Sequence, residues 1–205
     1  MHKKNIKYSG VPIESASKAL IMLHGRGANA NDILSVAGYL NVDDFALIAP
    51  EATHNTWYPY SFMVPTQQNE PWLTSALRLI QELINELYVN KIHSKNIYLL
   101  GFSQGACLAL EFICRNAIKY GGAIAFTGGL IGDKIIKENY KGDFNKTPVF
   151  IGTSDPDMHV PVSRVEESAE TLKYLNADVH LKIYKDMGHT INEDEIKSVN
   201  ELIFK

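Results

Sequence analysis

Between Asn96 and Ala117 the chain passes without a spacer from a short apolar run, NIYLL, through Gly101-Phe102-Ser103-Gln104-Gly105 into the amphipathic run ACLALEFICRNA. A strand that turns at once into a helix brings two backbones close together. Glycine on both sides of the turn leaves room for that approach. The junction therefore reads as strand, sharp turn, helix, with Ser103 held at its tip in a strained conformation.

The rest of the chain has the same grammar. Short runs rich in Val, Ile, Leu, Ala, Phe or Tyr predict strands at Ala19 to Leu23, Phe45 to Ala49, Asn96 to Leu100, Gly122 to Phe126, Pro148 to Ile151 and Val179 to Tyr184. Longer amphipathic runs predict helices at Asn31 to Leu40, Pro71 to Tyr88, Ser103 to Lys119, Pro161 to Leu175 and Asn192 to Phe204. Asn31 and Asn192 are candidate caps, and Pro71 and Pro161 suit a first turn. Glu193, Asp194 and Glu195 oppose the dipole at the start of the last helix. Strands alternating with helices predict an α/β fold, a three-layer sandwich around a mostly parallel sheet, with right-handed crossovers. At 205 residues the expectation is one domain, 1–205, with no internal repeat.

Bulk properties exclude some partners. A net charge of −3, with Lys and Arg scattered, offers no field for a nucleic acid backbone. The polar start MHKKNIKYSG does not resemble a secretory signal, and no run is long and apolar enough to be inserted stably in a membrane, so the expected location is the cytoplasm. Cys107 and Cys114, seven apart on one predicted helix, are separated by about 10 Å, too far to bridge. They read as reduced, buried, small apolar residues.

A serine hydroxyl is a poor nucleophile at neutral pH and needs a general base, itself oriented by an acid. Where the nucleophile sits on such an elbow, the chain order is Ser, Asp, His, each at the carboxyl end of a parallel strand. After the strand ending at Ile151 comes GTSDPDMHVP, with two candidate acids, Asp155 and Asp157. After the strand ending at Tyr184 comes KDMGHT, with His189; of His24, His54, His159 and His189, only the last lies between the final strand and the final helix. Attack on a carbonyl creates an oxyanion that preorganised donors must meet. The backbone N–H of Gln104, directly after Ser103, is one candidate. The backbone N–H of Arg26, in the loop HGRGAN after the first predicted strand, is the other. That loop lacks the spacing of a phosphate cradle, and no His, Asp and Glu pairing at helical spacing builds a metal site, so neither a metal nor another cofactor is expected.

One stretch breaks the rhythm. Pro50 to Glu70 holds Trp57, Tyr58, Tyr60 and Phe62 without clear periodicity, and reads either as a wall of a binding site or as a packed loop over the core. With Trp72 just beyond it, Trp57, Tyr58 and Phe62 are the candidate pocket residues.

Taken together, LIMLHGRGAN, LLGFSQGA, DMHVP and MGHT resemble the phospholipase/carboxylesterase family, which includes acyl-protein thioesterases, over nearly the whole chain. The resemblance implies the α/β-hydrolase fold and a serine carboxylesterase acting on small or medium acyl esters, with an acyl-thioesterase or lysophospholipase as the alternative and a noncatalytic binding scaffold as a third. It also implies no cofactor, and a possible homodimer. By motif it assigns nucleophile, acid and base to Ser103, Asp157 and His189, deciding between Asp157 and Asp155, and the oxyanion donors to the backbone of Arg26 and Gln104. The position of Arg26 is usually apolar in acyl-protein thioesterases.

Overall fold

The computed structural model describes all 205 residues, Met1–Lys205. Seven strands, β1 (Ile6–Gly10), β2 (Lys18–Leu23), β3 (Phe45–Pro50), β4 (Ile97–Phe102), β5 (Gly122–Phe126), β6 (Pro148–Asp155) and β7 (Asp178–Lys185), form one sheet in the order β1-β3-β2-β4-β5-β6-β7. Only β1 runs antiparallel to its neighbour; every other pairing is parallel. The helices are α1 (Ala30–Ser35), α2 (Trp72–Val89), α3 (Gln104–Arg115), α4 (Val162–Tyr174) and α5 (Glu193–Leu202).

Side chains alternate across each central strand, and this builds two cores. Ala19, Ile21 and Leu23 of β2, with Ala123 and Ala125 of β5, join the larger cluster under α2, α3 and α4. Leu20 and Met22, with Ile124 and Phe126, face the smaller cluster under α1 and α5. The three-layer sandwich predicted from the sequence follows from that division. Helix α2 shows the pattern that binds a layer to the sheet: Leu73, Ala76, Leu79, Ile80, Leu83, Ile84 and Leu87 are all buried at helical spacing. No helix is long and apolar enough to cross a membrane.

Several boundaries differ from expectation, each for a local reason. β1 was not predicted, because IKYSG lies on the sheet edge with only Ile6 partly buried and so carries little alternation. The first helix is short, and its cap is Asn29 instead of Asn31. Asn29 accepts from the Asn31 and Asp32 amides while the Asp32 carboxylate accepts from the Asn29 N–H, and a 3₁₀ turn, Val36–Tyr39, replaces the expected second half. Pro71 and Pro161 occupy the cap positions, one residue before the first turn. Helix α3 stops at Arg115, short of Lys119, where the Asn116 carboxamide donates back to the Phe112 carbonyl. β6 runs four residues past Ile151, to Asp155.

Candidate active site

The carboxyl ends of four parallel strands converge on one region: β2 delivers Gly25 to Gly27, β4 delivers Ser103, β6 delivers Asp157 and β7 delivers His189. Ser103 adopts φ 52° and ψ −117°, a backbone conformation that side chains rarely take. Two close approaches hold it there. A β-carbon on Gly101 would collide with the Gly105 backbone, and one on Gly105 would collide with the Leu23 and His24 carbonyls. The Ser103 amide donates to the Phe126 carbonyl of β5 at 2.9 Å, tying the turn to the sheet.

Ser103 Oγ lies 2.8 Å from His189 Nε2, and His189 Nδ1 lies 2.8 Å from Asp157 Oδ2. A carboxylate can only accept, so Nδ1 carries the proton, and Nε2 is left as the acceptor for the Ser103 hydroxyl. The other oxygen of Asp157 accepts from the amides of His159 and Val160 at 2.7 and 2.8 Å, and its side chain is fully shielded from solvent. Burial alone would raise this carboxyl, but the bonds from His189 and the two amides outweigh it and hold its pKa below the ordinary range. Asp155, the rival acid, is exposed, and its side chain makes no hydrogen bond. The loops that carry Asp157 and His189 are also tied together: the Gly188 amide donates to Ser154 Oγ, and the Asp186 amide to the Asp155 carbonyl.

Of the remaining histidines, His24 is structural. Its Nδ1–H donates to the Gly25 carbonyl, its Nε2 accepts from the Ala52 amide, and burial lowers its pKa, so the ring is neutral. His54 is exposed on the aromatic loop. His159 stands edge-on to the His189 ring at 4.9 Å, on the rim of the cavity.

The glycine loop after β2 packs against the elbow. A β-carbon on Gly25 would lie 3.2 Å from the Phe102 ring and 3.6 Å from Ser103 Cβ, so glycine lets this loop come beside the serine, and Gly27 turns it at φ 79°. The Arg26 amide donates to no acceptor in the protein. Gln104 occupies the first position of α3, where an amide has no acceptor within the helix.

What the sequence reading missed is the work of the side chains at these same two positions. Gln104 Oε1 accepts from the Trp57 amide at 2.9 Å, and its Nε2 donates to the Tyr58 carbonyl at 2.9 Å. The Arg26 guanidinium donates to the carbonyls of Tyr58, Pro59 and Tyr60 at 2.7 to 2.9 Å. Both side chains hold the aromatic loop against the elbow. Long polar side chains directed at backbone groups 32 to 47 residues away leave no trace in local pattern.

Between elbow and loop lies a cavity of about 440 Å³. Tyr58 and Phe62 line it, as expected of them, together with Tyr60 and Phe102. Trp57 and Trp72 do not, and this corrects the sequence reading. Trp57 is fully buried, its indole N–H donating to the His24 carbonyl, and Trp72 begins α2, packed against the His2 ring. The aromatic stretch is thus both wall and core cover, divided residue by residue.

A seven-stranded, mostly parallel sheet flanked by helices, with a serine on a strained strand-to-helix elbow, is the α/β-hydrolase architecture. The Phospholipase/Carboxylesterase profile matches residues 10–205, and the chain belongs to that family of hydrolases. It is similar to a phospholipase/carboxylesterase of Dyadobacter fermentans, with 56% identity and a TM-score of 0.98 over all of this chain and 98% of that one. Acyl-protein thioesterase 1 of Saccharomyces cerevisiae is 27% identical over 94% of each chain. The Bacillus cereus carboxylesterase, 19% identical, shares the fold at a TM-score of 0.78 over 97% of this chain and 92% of that one.

Proposed function

We propose that this chain is a serine carboxylesterase, with residues 1–205 acting as one catalytic domain. The observation that carries the reading is the unbroken relay from Ser103 Oγ through His189 to a buried Asp157, both links at 2.8 Å, opening on the cavity. Ser103 Oγ attacks the acyl carbon while its proton passes to His189 Nε2, and Asp157 holds the imidazolium that forms. The amides of Arg26 and Gln104 receive the oxyanion, each contributing about 3 kcal/mol to the transition state. Collapse of the tetrahedral intermediate expels the alcohol, which takes the proton from His189 and leaves an acyl-Ser103. Water then gives a proton to His189 and attacks the acyl carbon, and collapse of the second tetrahedral intermediate releases the acid while His189 returns the proton to Ser103 Oγ. No step needs a cofactor.

A cavity of about 440 Å³ walled by Tyr58, Tyr60, Phe62 and Phe102 has the size of a small-molecule site and accommodates a short or medium acyl group. Thioester cleavage would follow the same steps with a thiol leaving, and the similarity to a yeast protein named as an acyl-protein thioesterase keeps that reading second. Hydrolysis of p-nitrophenyl esters from acetate to palmitate, alongside palmitoyl-CoA, separates the two. Turnover centred on short esters and lost in Ser103→Ala is expected; a preference for palmitoyl-CoA would promote the thioesterase, and absence of any turnover would overturn both.

A further inference from the structure

Arg26 is the one residue of fixed charge among those lining the cavity; no aspartate or glutamate reaches it, and the Asp157 carboxylate is sealed behind His189. A guanidinium carries five N–H groups; the three bonds it makes here, one from Nη1 and two from Nη2, all go to neutral carbonyls, which leaves Nε–H and one Nη1–H without an acceptor in the protein. Arg26 enters no ion pair, so its positive charge is held in place but not neutralised. It remains exposed at the cavity, unlike Arg164 of α4, which is buried, donates to the Leu130, Gly132 and Asp133 carbonyls and is paired with Glu167.

Holding the aromatic loop does not require this charge. Gln104 already binds the Tyr58 carbonyl, and Asn69 accepts from the Tyr60 amide, both with neutral amides. A carboxylate suits a rigid guanidinium better than any neutral group does, because the planar fork is oriented beforehand and little entropy is lost on binding.

From these observations, and resting on the esterase reading above, we propose that the cavity selects esters bearing a carboxylate, with Arg26 as the residue that receives it. Monoesters of short dicarboxylic acids place the anion on the acyl side; esters of hydroxybenzoic acids place it on the alcohol side. Each has a neutral counterpart of nearly the same shape in which carboxamide replaces carboxylate.

The test compares kcat/KM for monomethyl glutarate with methyl 4-carbamoylbutanoate, and for 4-carboxyphenyl butyrate with 4-carbamoylphenyl butyrate, in a pH-stat at neutral pH. A preference of about tenfold for the anion in one of the pairs is expected for a partly solvated charge-assisted contact. It should disappear in Arg26→Gln and persist in part in Arg26→Lys, while turnover of the neutral esters changes by a similar factor in both variants. Which pair shows it identifies the side of the ester that carries the charge. Equal rates within both pairs in wild type, or a preference unchanged in Arg26→Gln, would overturn the proposal while leaving the esterase reading intact. Binding of the same pairs to Ser103→Ala protein, with and without Arg26→Gln, followed by calorimetry, makes the comparison without turnover. Equal affinities there would overturn it even if no ester were hydrolysed.

Discussion

Replacing Gln104 tests whether a single buried carboxamide positions the cavity wall. Gln104 is 6% exposed, and the Trp57 amide it receives belongs to a fully buried residue. With methionine at 104 the volume is nearly kept, but the Trp57 N–H loses its acceptor in a place that water does not reach. The Tyr58 carbonyl keeps donors from Arg26 and Thr56 and suffers little. The cost is then that of one orphaned buried amide, about 2 kcal/mol. Alanine adds a void where the side chain stood, about 1 kcal/mol more. In a chain of this length 2 kcal/mol corresponds to a fall in Tm of roughly 4 to 8 °C. Urea unfolding followed by tryptophan fluorescence reads the loss directly, since Trp57 lies at the altered contact. Because the loop 58–62 forms the wall, KM should rise by more than kcat falls. A Gln104→Met protein within about 0.5 kcal/mol of wild type and with unchanged KM would refute the reasoning, and the loop would have to be held by Arg26 and Asn69 instead.

Asp157→Asn, in folded protein, should lower kcat on the order of 10⁴-fold, because asparagine cannot impose the Nδ1–H tautomer on His189, whereas Asp155→Asn, at an exposed side chain without partners, should leave kcat within a few-fold. Steady-state kinetics of both purified variants settles the ranking. Burial pushes the Glu195 carboxyl up to about 7, with the Asp194 charge adding to the shift and the Asn192 amide opposing it. Its Oε1 has no hydrogen-bond partner. The folded state therefore holds a proton that the unfolded state releases above 4.5, so stability falls as pH rises from about 4.5 to about 7 and is level beyond. A shift of that size amounts to about 3 kcal/mol. Urea midpoints from pH 4.5 to 8 should show the decline in wild type and a flatter profile in Glu195→Gln; parallel profiles would place the proton elsewhere.

Much of the molecule could be read along the chain. The elbow was legible because two glycines and a serine stand at the joint between a short apolar run and a helical one, and backbone crowding there restricts what each residue can be. The five inner strands, β2 to β6, were legible because they are largely buried on both faces and so are nearly continuously apolar, and β7, at the far edge, because Val179, Leu181 and Ile183 alternate with His180, Lys182 and Tyr184. β1 was not, since an edge strand is free to be polar, and the Asn29 cap depends on a side chain that only the folded turn directs at its amides. The choice of Asp157 over Asp155 lay outside local pattern and came from resemblance; the relay distances support it.

By itself the sequence determined the alternation of helices and inner strands along the chain, the position of Ser103 at a strand-to-helix turn, and the presence of aspartates and a histidine after the two later strands. Only the tertiary structure decided which aromatic residues face the cavity, placing Tyr58 and Phe62 on its wall and Trp57 beneath it. It also decided that the Arg26 and Gln104 side chains clamp that wall. The physical reason is range. Alternation, capping and backbone crowding act over a few residues and leave a periodic mark, whereas these bonds join residues thirty to fifty positions apart, and their partners are backbone groups that every sequence has.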